Sequence, residues 1–311
     1  MKARNYSQEE IAKAIGKDKS FISRELKRNC DKRSGEYRHD LAQRKYEARM
    51  KGKPKKQYFT DEIKAETEAL LKKDYSPGQI AGRLKLEGKP TVSHERIYQH
   101  VWADKKQGGE LYKHLRRKGR KYRKRGLAKD TRGIIKDRVG IEHRPEIVNK
   151  KERMGDLEID TIIGQNHQGA ILTINDRVSS KVWIAKLNGK NAPELAQRTI
   201  DLLMPLKNII HTITGDNGKE FADHQTIRRE LAVDFYFARP YHSWERGANE
   251  NTNGLIRQYF PKGSSFENIT EQDIKRVENI LNNRPRKKLH FLTPNEFFYL
   301  NLSNQKVAFV T

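Results

Sequence analysis

Apolar positions along this 311-residue chain keep a helical period through the N-terminal half and then change texture. From residue 156 onward, short apolar runs bounded by turn residues alternate with longer amphipathic stretches. The runs predict strands over 156–163, 170–175, 181–187, 209–214 and 233–238. The stretches predict helices over 192–204, 218–231, 243–259 and 270–282. Three strands in succession, then strands alternating with helices, imply a mixed sheet with flanking helices. That is an α/β or α+β body of ordinary domain size.

The N-terminal half reads differently. Ser7-Gln8-Glu9-Glu10 has the form of a capping box, Ile11, Ala14 and Ile15 follow at helical spacing, and Gly16 sits where a left-handed turn ends a helix. A second helix begins near Asp18, with Ile22 and Leu26 spaced to pack back on the first. Its other face carries Lys19, Ser20, Ser23, Arg24, Lys27 and Arg28. Two short helices about a Gly-containing turn, the second basic outside, describe either a DNA-binding helix-turn-helix or an ordinary helical hairpin with a solvated basic face. The pattern recurs: Ser76-Pro77-Gly78-Gln79 caps a helix with Ile80, Ala81 and Leu84 inside, and Ser93 caps one holding Ile97, Tyr98, Val101 and Trp102. His94 and Arg96, with Glu95, Gln99 and His100, point elsewhere on that last helix. The expected organisation is a helix-turn-helix unit over 1–50, a second over 57–112, a basic linker over 113–150 and the mixed-sheet body over 151–311. Only six residues precede Ser7, so the first unit is expected to be N-terminally truncated.

Charge sharpens the picture. The chain carries a formal +24, of which residues 1–150 hold +21 and residues 151–311 only +3. A basic arm beside a nearly neutral body calls for a polyanion, because neutralising phosphates releases condensed counterions. Between 113 and 129 lie ten Lys and Arg residues and no acid, among them Arg116, Arg117, Arg120 and Lys121. Their contacts should go to phosphate, which confers affinity without sequence preference. No segment pairs this basic character with a strong apolar face, so an anionic membrane is the weaker partner. No apolar run approaches the roughly 20 residues that span a bilayer, and no signal-peptide pattern opens the chain. Cys30 is the single cysteine, which excludes an intramolecular disulfide and a multi-cysteine zinc site. The chain is expected to be a cytoplasmic, nucleoid-associated protein of double-stranded DNA.

Three carboxylates stand out in the body. Asp160 lies inside the apolar run Leu157-Glu158-Ile159-Asp160-Thr161-Ile162-Ile163, where an acid is costly unless partnered. Asp216 lies at a strand end in Gly215-Asp216-Asn217-Gly218, and Glu250 in the helical stretch Asn249-Glu250-Asn251-Thr252-Asn253-Gly254. Strand ends and adjacent helices of such sheets are where sites collect. Oxygen donors without thiolate or imidazole suit a hard cation, Mg²⁺ or Mn²⁺. Two such ions about 3.5–4 Å apart serve in-line displacement at a phosphodiester. Asp156 and Glu158 share a strand face with Asp160 and are possible substitute ligands. Taken singly, each of the three acids also has an ordinary reading, as a satisfied core acid, a turn residue and a surface helix residue. Asn249 and Asn253 flank Glu250, either orienting it or meeting phosphate. Arg239, Arg246 and Arg257 either hold phosphate or form ion pairs, His242 and Trp244 pack or cap the Glu250 helix, and Lys219 and Glu220 read as helix-start residues.

The runs Gly155-Asp156-Leu157-Glu158-Ile159-Asp160-Thr161, Gly215-Asp216-Asn217-Gly218-Lys219-Glu220-Phe221 and Glu245-Arg246-Gly247-Ala248-Asn249-Glu250-Asn251-Thr252-Asn253-Gly254 resemble bacterial insertion-sequence transposases of the "IS thirty" type. Asp216 and Glu250 are separated by 33 residues, the spacing of that family's Asp–Asp–Glu triad. Asn283-Arg284-Pro285-Arg286-Lys287 with Thr293-Pro294 is similar to its end segment, and Ser76 to Ala81 with Tyr112 to Arg117 to its second DNA-binding region. Where the family usually has Trp and Gly around the first acidic pair, this chain has Leu157 and Ile159. The resemblance implies helix-turn-helix units followed by a ribonuclease-H-like, retroviral-integrase-like core. It further implies two Mg²⁺ ions (Mn²⁺ as substitute), with Asp160 bridging both and Asp216 and Glu250 each completing one. The implied activity is nicking at the element ends and joining of the 3′-hydroxyl to target DNA, by a homo-oligomer on DNA. The alternatives are a sequence-specific DNA-binding regulator whose core is non-catalytic, and a nuclease that cuts without joining.

Overall fold

The computed structural model describes residues 6–53, 58–116, 118, 135–239, 245 and 247–308. The chain divides into two compact units, residues 1–58 and 59–311.

In the first unit, α1 (Gln8–Ala14) opens with Ser7 and Glu10 satisfying each other's backbone N–H groups, and α2 (Lys19–Asn29) opens on the Asp18 carboxylate. Gly16 between them has φ +63°, a left-handed conformation that a side chain would strain. A third helix that the sequence pattern did not reveal, α3 (His39–Gly52), packs on α2. Its Lys45 donates to the Cys30 carbonyl (2.6 Å) and its Arg49 to Asn29 Oδ1 (2.7 Å). Polar side chains, rather than an apolar stripe, hold α3 in place, which is why its periodicity is faint.

The second unit begins with helices α4 (Asp61–Lys72), α5 (Pro77–Leu86) and α6 (His94–Lys106). Ser76 and Gln79 form the expected capping box, Pro77 sits at the start of α5, and Ser93 caps α6. Leu71, Ile80, Leu84, Ile97 and Val101 close a small core with Leu111 and Leu115. Each such side chain, removed from water, contributes about 1.5–3 kcal/mol before entropy is charged against it. Arg83 of α5 forks onto Glu296 (2.7 and 2.8 Å), Gln79 donates to the Pro285 carbonyl (2.8 Å) and Tyr75 to the Asn283 carbonyl (2.8 Å). These long-range bonds tie the helices to the end of the same unit.

After the short α7 (Glu146–Lys150) comes a five-stranded sheet of β1 (Asp156–Ile163), β2 (Ala170–Asp176), β3 (Val182–Leu187), β4 (Thr212–Gly215) and β5 (Asp234–Phe237). Its order is β3-β2-β1-β4-β5, with β1 to β3 antiparallel and β4 and β5 running parallel to β1. This is the ribonuclease-H-like arrangement. The helices are α8 (Ala192–Leu203), α9 (His224–Leu231), α10 (Gly247–Ile256), α11 (Glu271–Asn282) and α12 (Pro294–Ala308). α8 and α9 cover one sheet face, where Leu157 and Ile159 meet Leu195, Ile200, Ile227 and Phe235. α10 and α11 cover the other, where Ile162, Ile171 and Ile184 meet Leu255, Ile256, Val277 and Leu281.

An edge strand exposes unpaired backbone groups, and β3 is shielded by side chains of α11. Asn282 accepts from Val182 N–H (2.9 Å) and donates to its carbonyl (2.7 Å), while Glu278 accepts from Ile184 N–H (2.9 Å). The helix expected from 218 starts instead at His224, because a tight 3-10 turn over Lys219–Phe221 comes first. No helix among the described residues is long and apolar enough to cross a membrane.

Candidate active site

The face of β1 that carries Asp156, Glu158 and Asp160 lies under α10, and the sheet register brings the acids into order. β1 and β4 run parallel, with Glu158 level with Thr214, so Asp160 stands beside Asp216, the residue immediately after β4. Asp216 therefore sits at the carboxyl end of β4, and Asp160 lies in β1 just past its stretch paired with β4, at the point where the order along the sheet departs from chain order. That is where sites of open α/β sheets form.

Asp160 is held from two sides. Its Oδ1 accepts the Thr161 N–H (2.9 Å) and its Oδ2 accepts the Asn253 side-chain N–H (2.8 Å). The acceptor-only carboxylate fixes which end of that amide faces it, and the Thr173 hydroxyl, level with Asp160 on β2, donates to the other end, Asn253 Oδ1 (3.1 Å). Asp216 Oδ1 accepts the Gly218 N–H (2.7 Å), and Asn217 spans the turn to the Ala238 carbonyl (2.6 Å) while accepting from Arg138. Glu250 is exposed and lies on α10 three residues before Asn253, on the same stripe of that helix. Asn249, 1% exposed, donates its backbone N–H to Glu158 (3.1 Å), and its side-chain amide has no partner among the described residues.

The two possible substitute ligands are engaged elsewhere. Asp156 is paired with Arg153 (2.9 Å) and accepts the Thr212 hydroxyl (2.8 Å), and Glu158 pairs with the buried Arg177 (3.1 Å). Arg257 donates to the carbonyls of Ile163 (2.8 Å) and Pro261 (3.3 Å) and has no carboxylate partner among the described residues. Arg239 is ion-paired with Glu245 (3.2 Å).

Glu220, read from sequence as a helix-start residue, belongs to the site's wall. It is 4% exposed, accepts the Thr161 hydroxyl (2.9 Å) and pairs with Lys190 (3.1 Å). Burial opposes its ionisation, but its own backbone N–H, Thr161 and Lys190 outweigh that and hold its carboxyl below the usual range. A Cβ at Gly218 would lie 2.5 Å from Glu220 Oε2 and 2.8 Å from Asp216 Oδ1, so the two carboxylates close on a space only glycine leaves open. The sequence signal was there: an acid four residues after Asp216, across a glycine.

The donor chemistry fits a hard divalent cation, since Asp160, Asp216 and Glu250 offer carboxylate oxygens alone and Asp160 is already oriented by Thr161 and Asn253. Among the described residues no three His, Cys, Asp or Glu side chains are gathered closely enough to hold one ion as they stand.

Of the expected DNA contacts, Ser20, Ser23, Arg24, Lys27 and Arg28 are exposed on α2, with Arg24 bonded back to Ser20 (3.0 Å), and Lys19 pairs with Glu9 (3.2 Å). His94 and Arg96 are exposed in the first turn of α6, Arg96 with its guanidinium 5.8 Å from the Phe59 ring. Arg116 is not a simple surface cation: it lies against the Glu250 helix, donating to Asn251 Oδ1 (3.1 Å). Arg117, Arg120 and Lys121, with the linker residues 119–134, and His242, Trp244 and Arg246 lie outside the described residues.

Comparison with known proteins identifies the family of the chain. Residues 1–29 match a helix-turn-helix domain family. The chain is 58% identical over 305 residues to the transposase for insertion sequence element IS4351 of Bacteroides fragilis, covering 98% of this chain and 94% of that protein. It is 33% identical to the transposase InsI for insertion sequence element IS30A of Escherichia coli K12, covering 92% and 77% respectively. Among solved structures, the catalytic core domain of BIV integrase aligns with TM-score 0.38 and 18% identity, over 49% of this chain and 98% of that one. With near full-length identity of this order, the chain belongs to the family of bacterial insertion-sequence transposases.

Proposed function

We propose that this protein binds the terminal inverted repeats of a bacterial insertion sequence, nicks the DNA at the element ends and joins the freed 3′-hydroxyl to target DNA. The observation that carries the reading is the Asn253–Asp160 hydrogen bond of 2.8 Å, which fastens the helix of Glu250 across β1 at Asp160, next to the parallel strand that ends just before Asp216. In this reading Asp160, Asp216 and Glu250 are the catalytic carboxylates and the ligands of two Mg²⁺ ions, with Mn²⁺ as a substitute. Bound there, the ions would lower the pKa of the attacking water and neutralise charge at the scissile phosphate. The chain's own groups do the rest: Asp160 faces the reacting phosphate, Asn253 and Thr173 fix its rotamer, and Glu220 with Lys190 walls the opposite side. The outer face of α2, with Ser20, Ser23, Arg24, Lys27 and Arg28, reads base edges in the major groove, and His94 and Arg96 do so from a second helical unit. The basic linker follows phosphates, and two ends must meet, so the protein works as a homo-oligomer on DNA.

The test is purified full-length protein with Mg²⁺ and duplex DNA ending in the cognate repeats. Nicked ends that become joined to a target duplex are expected. Binding without cleavage in every cation tested would replace this reading with that of a regulator, and cleavage without joining with that of a nuclease.

A further inference from the structure

The sheet face under α10 does not end at the three acids. Beside Glu158 a cleft of about 500 Å³ opens, its charged lining made of Arg144, Lys151, Arg177, Glu158, the exposed Glu142 and the ion-paired Arg239 and Glu245. Its floor is a pair of guanidinium groups that are almost wholly removed from water, Arg144 at 7% and Arg177 at 5% exposure. Among the described residues, one of them alone is ion-paired. Glu158 takes Arg177 (3.1 Å) together with the Asn249 N–H (3.1 Å). Among the described residues Arg144 hydrogen-bonds only to neutral groups, Asn149 Oδ1 (3.2 Å from Nε) and the Thr214 hydroxyl (3.0 Å). The Nε of Arg177 has no partner among the described residues.

Two ammonium groups add to the excess. Lys151, at φ +59° after α7, has no ion pair among the described residues, and Lys288 donates to the Arg177 carbonyl (3.2 Å). Desolvation and then repulsion from Lys151 hold Lys288 below the ordinary lysine range. Arg144 is brought down to about 10, by burial and then by the nearby Arg177. Asp156 and Asp176 offset only part of this. Asp156 is committed to Arg153, and Asp176 to Ser179 and the backbone N–H groups of Gly155 and Val178. Buried charge without a counter-charge is expensive, and a guanidinium fork matches the geometry of a phosphate.

We propose that this cleft is a subsite for one backbone phosphate of the DNA strand being processed, gripped by Arg144 and Arg177 with Lys151 at its rim. The proposal rests on the reading of Asp160 as the place of reaction. Glu158 precedes Asp160 by two residues on β1, about 6.6 Å at strand rise, so the phosphate held here is a near neighbour of the scissile one. Its role is to set the position of the strand before reaction.

The test uses the full-length protein and a duplex ending in the cognate repeat, with single phosphates near the nick replaced in turn by uncharged methylphosphonates. Binding is read by fluorescence anisotropy without divalent cation, so chemistry is not sampled. For the wild type, neutralising one position should weaken binding about tenfold, the loss of a charge-assisted contact. In Arg144→Gln the penalty at that same position should vanish while penalties elsewhere persist, and the salt slope should drop by about 0.9. Lys151→Gln, on the exposed rim, should show a weaker form of the same coupling and guards against a folding defect in the first variant. No position whose penalty either variant relieves, or relief spread evenly over all positions, overturns the proposal. Saturable thermal stabilisation of the wild type by inorganic phosphate, with no position-specific coupling, would assign the cleft to a free anion and overturn it too. Nicking and joining without any coupled position sinks the subsite alone; a coupled position without nicking sinks the proposed function alone.

Discussion

The side-chain amide of Asn253 donates to Asp160 at 2.8 Å, joining a residue in the middle of α10 to one in the middle of β1 across 93 positions of sequence. Both ends of the amide are used, since its oxygen lies 3.1 Å from the Thr173 hydroxyl. The contact thus fixes the rotamer of the carboxylate and the seat of the helix that carries Glu250 at once.

Asn253→Ala should lower the nicking rate about 10–100-fold, the usual cost of removing a partner that orients a ligand, while the far-ultraviolet circular dichroism stays that of the wild type. Asn253→Asp should do worse than Ala, because a second carboxylate would face Asp160. An unchanged rate in both variants would mean that Asp160 needs no such positioning.

Gly218→Ala places a methyl group 2.5 Å from Glu220 Oε2 and 2.8 Å from Asp216 Oδ1. One of the two carboxylates must move, so nicking should fall about tenfold or more, again the order expected for a disturbed support. Repacking of the turn should cost about 1–3 kcal/mol. Single-turnover nicking and urea unfolding of the variant measure both, and a wild-type rate would show that the wall formed by Glu220 is dispensable.

Asn282→Ala removes the side chain that pairs both backbone groups of Val182 on the edge strand β3. Leaving them unpaired should cost about 1–3 kcal/mol, read as a lower midpoint in urea. A shift below about 0.5 kcal/mol would show that water replaces the amide there.

Acid should loosen the tie between α5 and α12. The hydrogen-bonded fork from Arg83, and then the Thr293 groups, outweigh burial and bring Glu296 down to about 2. A carboxyl depressed on folding stabilises fully above its unfolded value near 4.5, and that contribution fades as pH falls towards about 2. Between those limits Glu296→Gln should flatten part of the loss of stability seen in the wild type. Identical acid profiles would show that the pair, 37% exposed at Glu296, is screened out by solvent.

Much of the framework was legible because the chain writes it locally. The capping residues Ser7, Asp18, Ser76 and Ser93 all mark true helix starts, and β1 spans the run of apolar residues expected for it. What stayed hidden depends on partners distant in sequence. α3 shows no strong apolar stripe because Lys45 and Arg49 anchor it, and α12, whose start Thr293 and Glu296 cap reciprocally, is seated by the pairing of Glu296 with Arg83. The acids could be picked out by position, but the wall at Glu220 and the orienting role of Asn253 arise only when the strands and α10 are assembled. Arg144 and Arg177 look like any two arginines until both are found buried at one cleft.

The central claim is that Asp160, Asp216 and Glu250 work as one centre. Single-turnover nicking by Asp160→Asn, Asp216→Asn, Glu250→Gln and the triple variant, in saturating Mn²⁺, tests it most directly. Groups that act as a unit are far from additive. Each single variant should therefore lose about 10³-fold or more, and the triple variant should be scarcely slower than the worst single one. A single variant within about tenfold of the wild-type rate, or losses that multiply in the triple variant, would contradict the account.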